Sequence, residues 1–258
     1  EPDDLSVRRV EWREGLSIAL RNRAFLRMLL AWFVNGAANA LPAALFLFFV
    51  EFRLGAPDWG GVMLVLYFAA AIMGAPLWGK AAQRFPKHRV WCVAMLWASV
   101  VFLGALALGE GDVAPFAAIA FLSGLALGAD LSLPPAIQAD VVDADTAESG
   151  EQRTGVYFAV WSVVTKAAQA VAAGSALALL GAAGFEAAAG AAGAAGAGAL
   201  ETAGSGGNEP WALWMLSLLY AGVPVVLKLI TVAIMWGFPL DEAAQEALRA
   251  RIEAARAA

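Results

Sequence analysis

The feature that most constrains the fold is a set of six hydrophobic runs, each long enough to cross a lipid bilayer. A helix needs about 20 apolar residues to span roughly 30 Å of hydrocarbon, because each residue adds about 1.5 Å. Open sheets are excluded, since lipid cannot satisfy the backbone groups of a strand edge. The sequence therefore predicts an all-α membrane protein with six transmembrane helices. The predicted spans are residues 28–50, 59–79, 90–109, 113–138, 154–180 and 211–238.

Charged residues are scarce, and their distribution predicts the orientation of the chain. They make up 15% of the 258 residues, whereas about 25% is typical of soluble domains. Of the 15 Lys and Arg residues outside the spans, 14 fall on one side of the predicted membrane. Because cytoplasmic loops are rich in Lys and Arg, we expect both termini in the cytoplasm.

The composition argues against several other classes of protein. A net charge of -5 offers no basic surface for nucleic acid. One cysteine and one histidine leave no CxxC or HExxH pattern for a metal site. The chain also lacks a Walker loop and the GxSxG motif of hydrolases. We therefore expect neither an enzyme nor a metal-binding or nucleic-acid-binding protein.

Three polar segments lie outside the spans. Residues 1–27 are predicted to be a cytoplasmic linker, and their start at Glu rather than Met suggests sequence further upstream. Residues 181–210 are rich in Ala and Gly, which predicts a mobile external loop. Residues 239–258 are predicted to form a cytoplasmic tail helix that begins after Pro239, with Asp241 as its cap.

Only Asp130, Lys166 and Lys228 are charged within the spans. Each needs a reason, because a charge at the bilayer centre costs about 2.5–3.5 kcal/mol. Lys166 lies about 18 Å along its span, close to the midplane. With Ser162 and Gln169 it has i, i+4, i+7 spacing, so the three form one polar stripe on an apolar helix. The stripe indicates either a solute pathway or a buried ion pair that locks two helices.

Asp130 is the second intramembrane charge, and two prolines follow it. Pro134 and Pro135 are expected to interrupt the local helical hydrogen bonds. Asp130 is therefore predicted to be a proton or cation site, or a partner of Lys166 at a similar depth. The alternative is a carboxylate that reaches the cytoplasmic interface. Lys228 is expected to extend its ammonium group to that interface.

Two pairs of residues predict close contacts between helices. Asn35 and Asn39 lie on one face of the first span together with Pro42. Their amides are expected either to join neighbouring helices or to line a solute cavity. Gly124 and Gly128 form a small-xxx-small pair, which predicts close packing of the fourth span against another helix.

The segment between the fourth and fifth spans, residues 139–155, is predicted to be a cytoplasmic loop. It is acidic, although cytoplasmic loops usually carry basic residues. The loop is either simply solvated or part of a charge cluster that clamps this face and releases during a conformational cycle.

The stretch from residue 139 to 185 resembles the glycoside–pentoside–hexuronide:cation symporters, the melibiose-permease-like branch of the major facilitator superfamily. The shared pattern is an Asp-x-x-Asp pair, a Gly-Glu-x-Arg-x-Gly turn, an aromatic residue and a mid-helix lysine. The loop at residues 79–89 also looks like the short basic loop of that superfamily, although Pro86 stands where glycine is usual. The matching positions are Asp140, Asp143, Gly150, Glu151, Arg153, Gly155, Tyr157 or Phe158, and Lys166.

The resemblance implies that the chain is one half of a twelve-helix bundle in a bacterial inner membrane. Such a half consists of two inverted three-helix repeats, and the N-terminal six-helix half would be missing here. The implied function is cation-coupled symport of a small polar solute, a sugar or glycoside, by alternating access. The implied coupling ion is Na⁺ or H⁺, with no other cofactor. The alternative is a non-transporting scaffold or a bundle that binds lipid or a protein partner.

The candidate residues fall into two groups. Those expected to line the substrate and cation pathway are Lys166, Ser162, Gln169, Asn35, Asn39 and Asp130. Those expected to form a cytoplasmic gate are Asp140, Asp143 and Arg153.

Overall fold

The computed structural model describes residues 21–149, 153–186 and 208–239. Within these ranges the chain is helical and contains no strand. Six of its helices are long and apolar enough to cross a membrane, which confirms the predicted all-α membrane fold. Most of the predicted linker and of the Ala/Gly-rich loop, and nearly all of the tail helix, lie outside the described residues, as do Gly150 and Glu151.

The six helices follow the order of the predicted spans. In the first half, α1 is Arg23–Phe48 with a π-helical extension Phe49–Arg53, α2 is Gly60–Ala81 after the 3₁₀ turn Pro57–Trp59, and α3 is Lys87–Leu103. In the second half, α4 is Val113–Ser149, α5 is Thr154–Ala182, and α6 comprises Pro210–Ser217, the π-helical segment Leu218–Gly222 and Val223–Met235.

Helix α4 differs most from its predicted span. It continues past residue 138 to Ser149, so the part of the predicted acidic loop up to that residue is helical. Contacts with a neighbouring helix explain the extension, because Asp140 of α4 is paired with Lys87 of α3. The helix also continues through Pro134 and Pro135. Their missing N–H groups leave two carbonyls of α4 without helical donors but do not break the helix.

Helices α2 and α4 pack with their backbones in direct contact. A Cβ atom on Gly128 would overlap the backbone of Ala71 and Gly74, and one on Gly124 would overlap the carbonyl of Tyr67. A Cβ atom on Gly74 would in turn meet the backbone of α4. The close contact predicted for the Gly124 and Gly128 pair is therefore confirmed, with α2 as the partner helix.

Two apolar clusters fill the two ends of the bundle. One contains Phe25, whose ring lies edge-on to Tyr157 with centroids 4.5 Å apart. The other contains Phe49, which stacks on Tyr220 at 4.2 Å. On α1 and α6 the residues between these clusters include buried polar side chains, so the middle of the bundle holds a polar layer.

Candidate functional site

Asp130 is the centre of this polar layer. Its side chain is buried, with only 7% of the residue exposed. The Nε1 of Trp91 donates to Oδ1 at 2.5 Å, and the Nδ2 of Asn39 donates to Oδ2 at 3.0 Å. The Nζ of Lys228 lies 3.2 Å from the same Oδ2 and forms an ion pair with it. Three helices, α1, α3 and α6, thus each supply one donor to the carboxylate.

Lys228 is held inside the bundle by two acceptors. Besides Asp130, its Nζ donates to Oδ1 of Asn35 at 3.1 Å, and its side chain is only 12% exposed. The expectation that Lys228 extends to the interface is therefore wrong, and Asp130 pairs with Lys228 rather than with Lys166. The reason is tertiary packing: α6 lies against α1 and α3, whereas α5 packs mainly on α1.

The two asparagines of α1 have different roles. Asn35 is completely buried and links α1 to α6 through Lys228, as expected for an amide that joins helices. Its Nδ2 atom has no hydrogen-bond partner among the described residues. Asn39 joins α1 to α4 through Asp130 and also lines a cavity. Whether a solute occupies that cavity stays a prediction.

A cavity of about 370 Å³ lies beside the ion pair. Five helices line it, and α5 contributes none of its described residues. Asn39, Asp130 and Lys228 are the polar residues of its wall that belong to the cluster, and Ser123 also lines it. Two of its lining residues, Leu47 of α1 and Phe68 of α2, are 62% and 54% exposed. Aromatic rings form much of the remaining wall: Phe46, Tyr67, Phe68, Phe102 and Tyr220.

The cavity wall at α6 is shaped by a π-helical segment. Pro224 has no N–H to bond the carbonyl four residues earlier, at Tyr220. The chain widens into the π-helix Leu218–Gly222 at that point. Tyr220 thereby stacks on Phe49 and still borders the cavity. Such segments are frequent at functional sites.

The polar stripe predicted on the fifth span does not join this cluster. Ser162, Lys166 and Gln169 are exposed on the surface of α5. The opposite face of α5 packs on α1, where Trp32 stacks on Trp161 with centroids 4.3 Å apart. The structure thus unites Asn35, Asn39 and Asp130 and separates them from the stripe. A polar stripe indicates only which face of a helix is polar, and packing decides what that face meets.

Of the predicted gate residues, Asp140 and Asp143 lie in the C-terminal part of α4, and Arg153 directly precedes α5. Asp140 forms an ion pair with Lys87 at 2.7 Å, and Arg153 forms one with Asp145 at 3.5 Å. Asp143 is exposed. Sequence reasoning missed Lys87 and Asp145 as partners. The sequence did indicate a partner such as Lys87, because the basic loop at 79–89 and the acidic segment are both predicted on the cytoplasmic side of the membrane.

Comparison with known proteins connects this architecture to a family. The family model described as MFS/sugar transport protein matches residues 1–242, a range that includes all six helices and the polar cluster. No curated protein matches the chain.

Proposed function

The chain belongs to the MFS/sugar transport protein family, and on this premise we propose that it moves a small polar solute by cation-coupled symport. The family comprises multi-pass membrane transporters and is generally non-enzymatic. Within that class we assign the chain to a melibiose-permease-like symporter of sugars or glycosides. We further propose that it acts in a bacterial inner membrane, with both termini in the cytoplasm.

The observation that carries this proposal is the ion pair of Asp130 and Lys228 at the wall of a cavity. Burying two charges costs several kcal/mol per ion, and apolar residues of similar size would pack as well or better. Ionisable groups inside a membrane mark substrate and ion pathways. A pair that served only to join helices would need no cavity beside it.

The exposed stripe on α5 supports the proposal that a second six-helix half completes the transporter. Lys166 is exposed near the midplane, where contact with lipid costs about 2.5–3.5 kcal/mol. A partner half that covers α2 and α5, the least buried of the described helices, would remove this cost. Ser162, Lys166 and Gln169 would then face the passage between the halves, onto which the cavity would open.

The ion pairs at the end of α4 support a gate. Lys87–Asp140 and Arg153–Asp145 join α4 to α3 and to the start of α5. Such pairs are suited to hold this end of the bundle closed and to separate when the halves rock. Asp143, on the same stretch of α4, is exposed and free to meet a basic group of the other half in the closed state.

Replacing Lys166 by alanine should abolish gradient-driven uptake while the protein still inserts into the membrane. The lysine is exposed, so its loss leaves the packing of the six helices intact. Uptake of radiolabelled sugars and glycosides by vesicles that contain the full-length protein, with and without imposed Na⁺ and H⁺ gradients, measures the effect. Val171→Ala, at an exposed position of the same helix, is the matched control. Equal uptake by the Lys166 variant and the control would remove the lysine from the pathway.

A further inference from the structure

We propose that the outer face of α3 binds an anionic phospholipid, with the phosphate at Arg89 and one acyl chain along the apolar residues that follow. This site lies on the outside of the bundle, and the buried ion pair and its cavity take no part in it. The inference goes beyond the proposed function and requires only that the chain spans a membrane. It follows from the pattern of exposure on α3, from the exposed arginines at its start and from the tryptophan in its middle.

The exposed residues of α3 form one stripe along the helix, which we call the outer stripe. Its members lie three or four residues apart, as residues on one face of a helix do. The most exposed of them is Val100, at 72%. The other residues of α3 pack mainly against α4 and α6. Because four of its five members are large and hydrophobic, the outer stripe suits contact with hydrocarbon. Its residues are Arg89, Val93, Trp97, Val100 and Leu103.

The tryptophan of the outer stripe is arranged for contact with lipid. An indole N–H without an acceptor in hydrocarbon would cost free energy. Trp97 avoids this cost, because its Nε1 donates to the carbonyl of Leu122 on α4 at 3.0 Å. The ring itself remains exposed. Trp97 therefore presents an apolar ring to its surroundings, with its one donor already satisfied.

Arg89 stands at the end of the outer stripe, where a lipid headgroup would lie. It is in the first turn of α3, and helical side chains tilt toward the N-terminus of their helix. Its guanidinium group therefore extends away from the apolar part of the stripe. The distance along the helix axis from Arg89 to Val100 is about 16 Å, close to half of a hydrocarbon core of about 30 Å. An acyl chain anchored at Arg89 can thus follow the stripe through one leaflet.

The basic side chains near the start of α3 differ in whether they have an acidic partner. Lys87 is paired with Asp140. Arg84 and Arg89 are exposed and form no ion pair or side-chain hydrogen bond among the described residues. Arginine binds a phosphate group through two parallel hydrogen bonds. Phe85, next to Arg84 in the turn, is 61% exposed, and such a ring can insert at the boundary between headgroups and acyl chains. The surplus of positive charge favours an anionic headgroup over a zwitterionic one.

A second copy of the chain fits the outer stripe less well than a lipid does. Two copies related by an axis along the membrane normal would bring Arg89 to the same depth in both. Like charges at one depth of an interface repel each other. A phospholipid instead supplies an anion at Arg89 and an apolar chain for the residues that follow. The lipid is therefore the assigned occupant.

Native mass spectrometry of the purified full-length protein tests the inference. The delipidated protein receives equal amounts of phosphatidylglycerol and phosphatidylcholine with the same acyl chains. We expect a preference of at least tenfold for phosphatidylglycerol, and Arg89→Gln should reduce it to less than twofold. Arg89→Lys keeps the charge but loses the paired hydrogen bonds, so its preference should lie between these values. Lys80→Gln removes an exposed charge at the end of α2 and is the matched control, which should keep the full preference.

Tryptophan fluorescence in vesicles locates the acyl chain. Phosphatidylglycerol with brominated chains, as a small fraction of phosphatidylcholine vesicles, should quench the fluorescence more strongly than brominated phosphatidylcholine at the same fraction. Trp97→Phe should abolish this difference. Trp211→Phe, at an exposed position near the other end of the bundle, should retain it. This measurement leaves Arg89 unchanged, so it tests the site even if Arg89→Gln fails to fold. A difference that persists in Trp97→Phe would contradict the placement of the chain.

Each alternative occupant gives its own result. Equal binding of the two lipids would overturn the inference, and so would equal losses in Arg89→Gln and Lys80→Gln, because they would indicate only diffuse surface charge. Competition by glycerol phosphate as strong as that by the lipid would show a site for a soluble phosphate. A dimer that dissociates in Arg89→Gln would show an interface between two copies. None of these measurements depends on solute uptake, so the proposed function stands or falls separately.

Discussion

Replacing Asp130 alone by asparagine should destabilise the chain far more than replacing Asp130 and Lys228 together. The single change leaves the buried ammonium group of Lys228 without its counter-ion, a loss of about 3–5 kcal/mol for pairs of this kind. Asparagine still offers an oxygen to the donors of Trp91 and Asn39, so the loss reports mainly on the charge. The double variant Asp130→Asn/Lys228→Met has no buried charge and should regain most of the stability.

Thermal and chemical unfolding of the wild type, both single variants and the double variant in detergent micelles measures the coupling free energy. Lys166→Met is the matched control, because this lysine is exposed on α5 and forms no ion pair among the described residues. Its removal therefore leaves no buried carboxylate without a counter-ion. We expect no loss of stability in this variant, because its replacement strands no buried charge. A double variant as unstable as the single ones would show that the residues act separately. A stable double variant without uptake would separate folding from transport.

The number of helices could be predicted from the sequence because hydrocarbon thickness imposes a minimum length on each apolar run. The contact of Gly124 and Gly128 with another helix could also be predicted, since two glycines four residues apart remove side chains from one face. Which helix lies on that face could not be predicted. It depends on packing among all six helices, and the structure assigns α2.

The partner of Asp130 could not be predicted for the same reason. Depth along the helix is computed from residue number, and Lys166 and Lys228 both lie at depths within reach of Asp130. Depth contains no information about direction around the helix axis or about which helices are neighbours. The structure turns Lys228 inward against α1 and leaves Lys166 exposed. The expected solute pathway therefore separates into a buried cluster and an exposed stripe, and only the cluster borders the described cavity.

The length of α4 escaped prediction because hydropathy marks the apolar part of a helix and not its end. Beyond residue 138 the helix becomes polar, so hydropathy favours a loop. In the structure, Asp140 meets Lys87, and Asp145 meets Arg153. The polar extension of α4 is thus stabilised by ion pairs with residues of α3 and of the segment before α5. A pattern of apolar residues contains no information about such ion pairs.

Replacing Gly128 by alanine should destabilise the chain, although alanine is the better helix former. The new Cβ atom would overlap the backbone of Ala71 and Gly74, and backbone atoms cannot rotate away as a side chain can. Helices α2 and α4 must therefore separate. Overpacking of this kind costs about 1–3 kcal/mol, which exceeds the gain of about 0.5–1 kcal/mol from replacing a helical glycine by alanine. The melting temperature in micelles should fall.

Gly174→Ala is the matched control, because it makes the same change in α5 at a position with no atom within 4 Å of the new Cβ. At residue 174 the alanine only raises the helix propensity, so the melting temperature of Gly174→Ala should stay the same or rise. A rise in both variants would mean that α2 and α4 can separate at little cost. The distance between these helices also sets the cavity, since α2 carries Tyr67 and α4 carries Asp130. Gly128→Ala should therefore lower gradient-driven uptake as well as the melting temperature, whereas Gly174→Ala should lower neither.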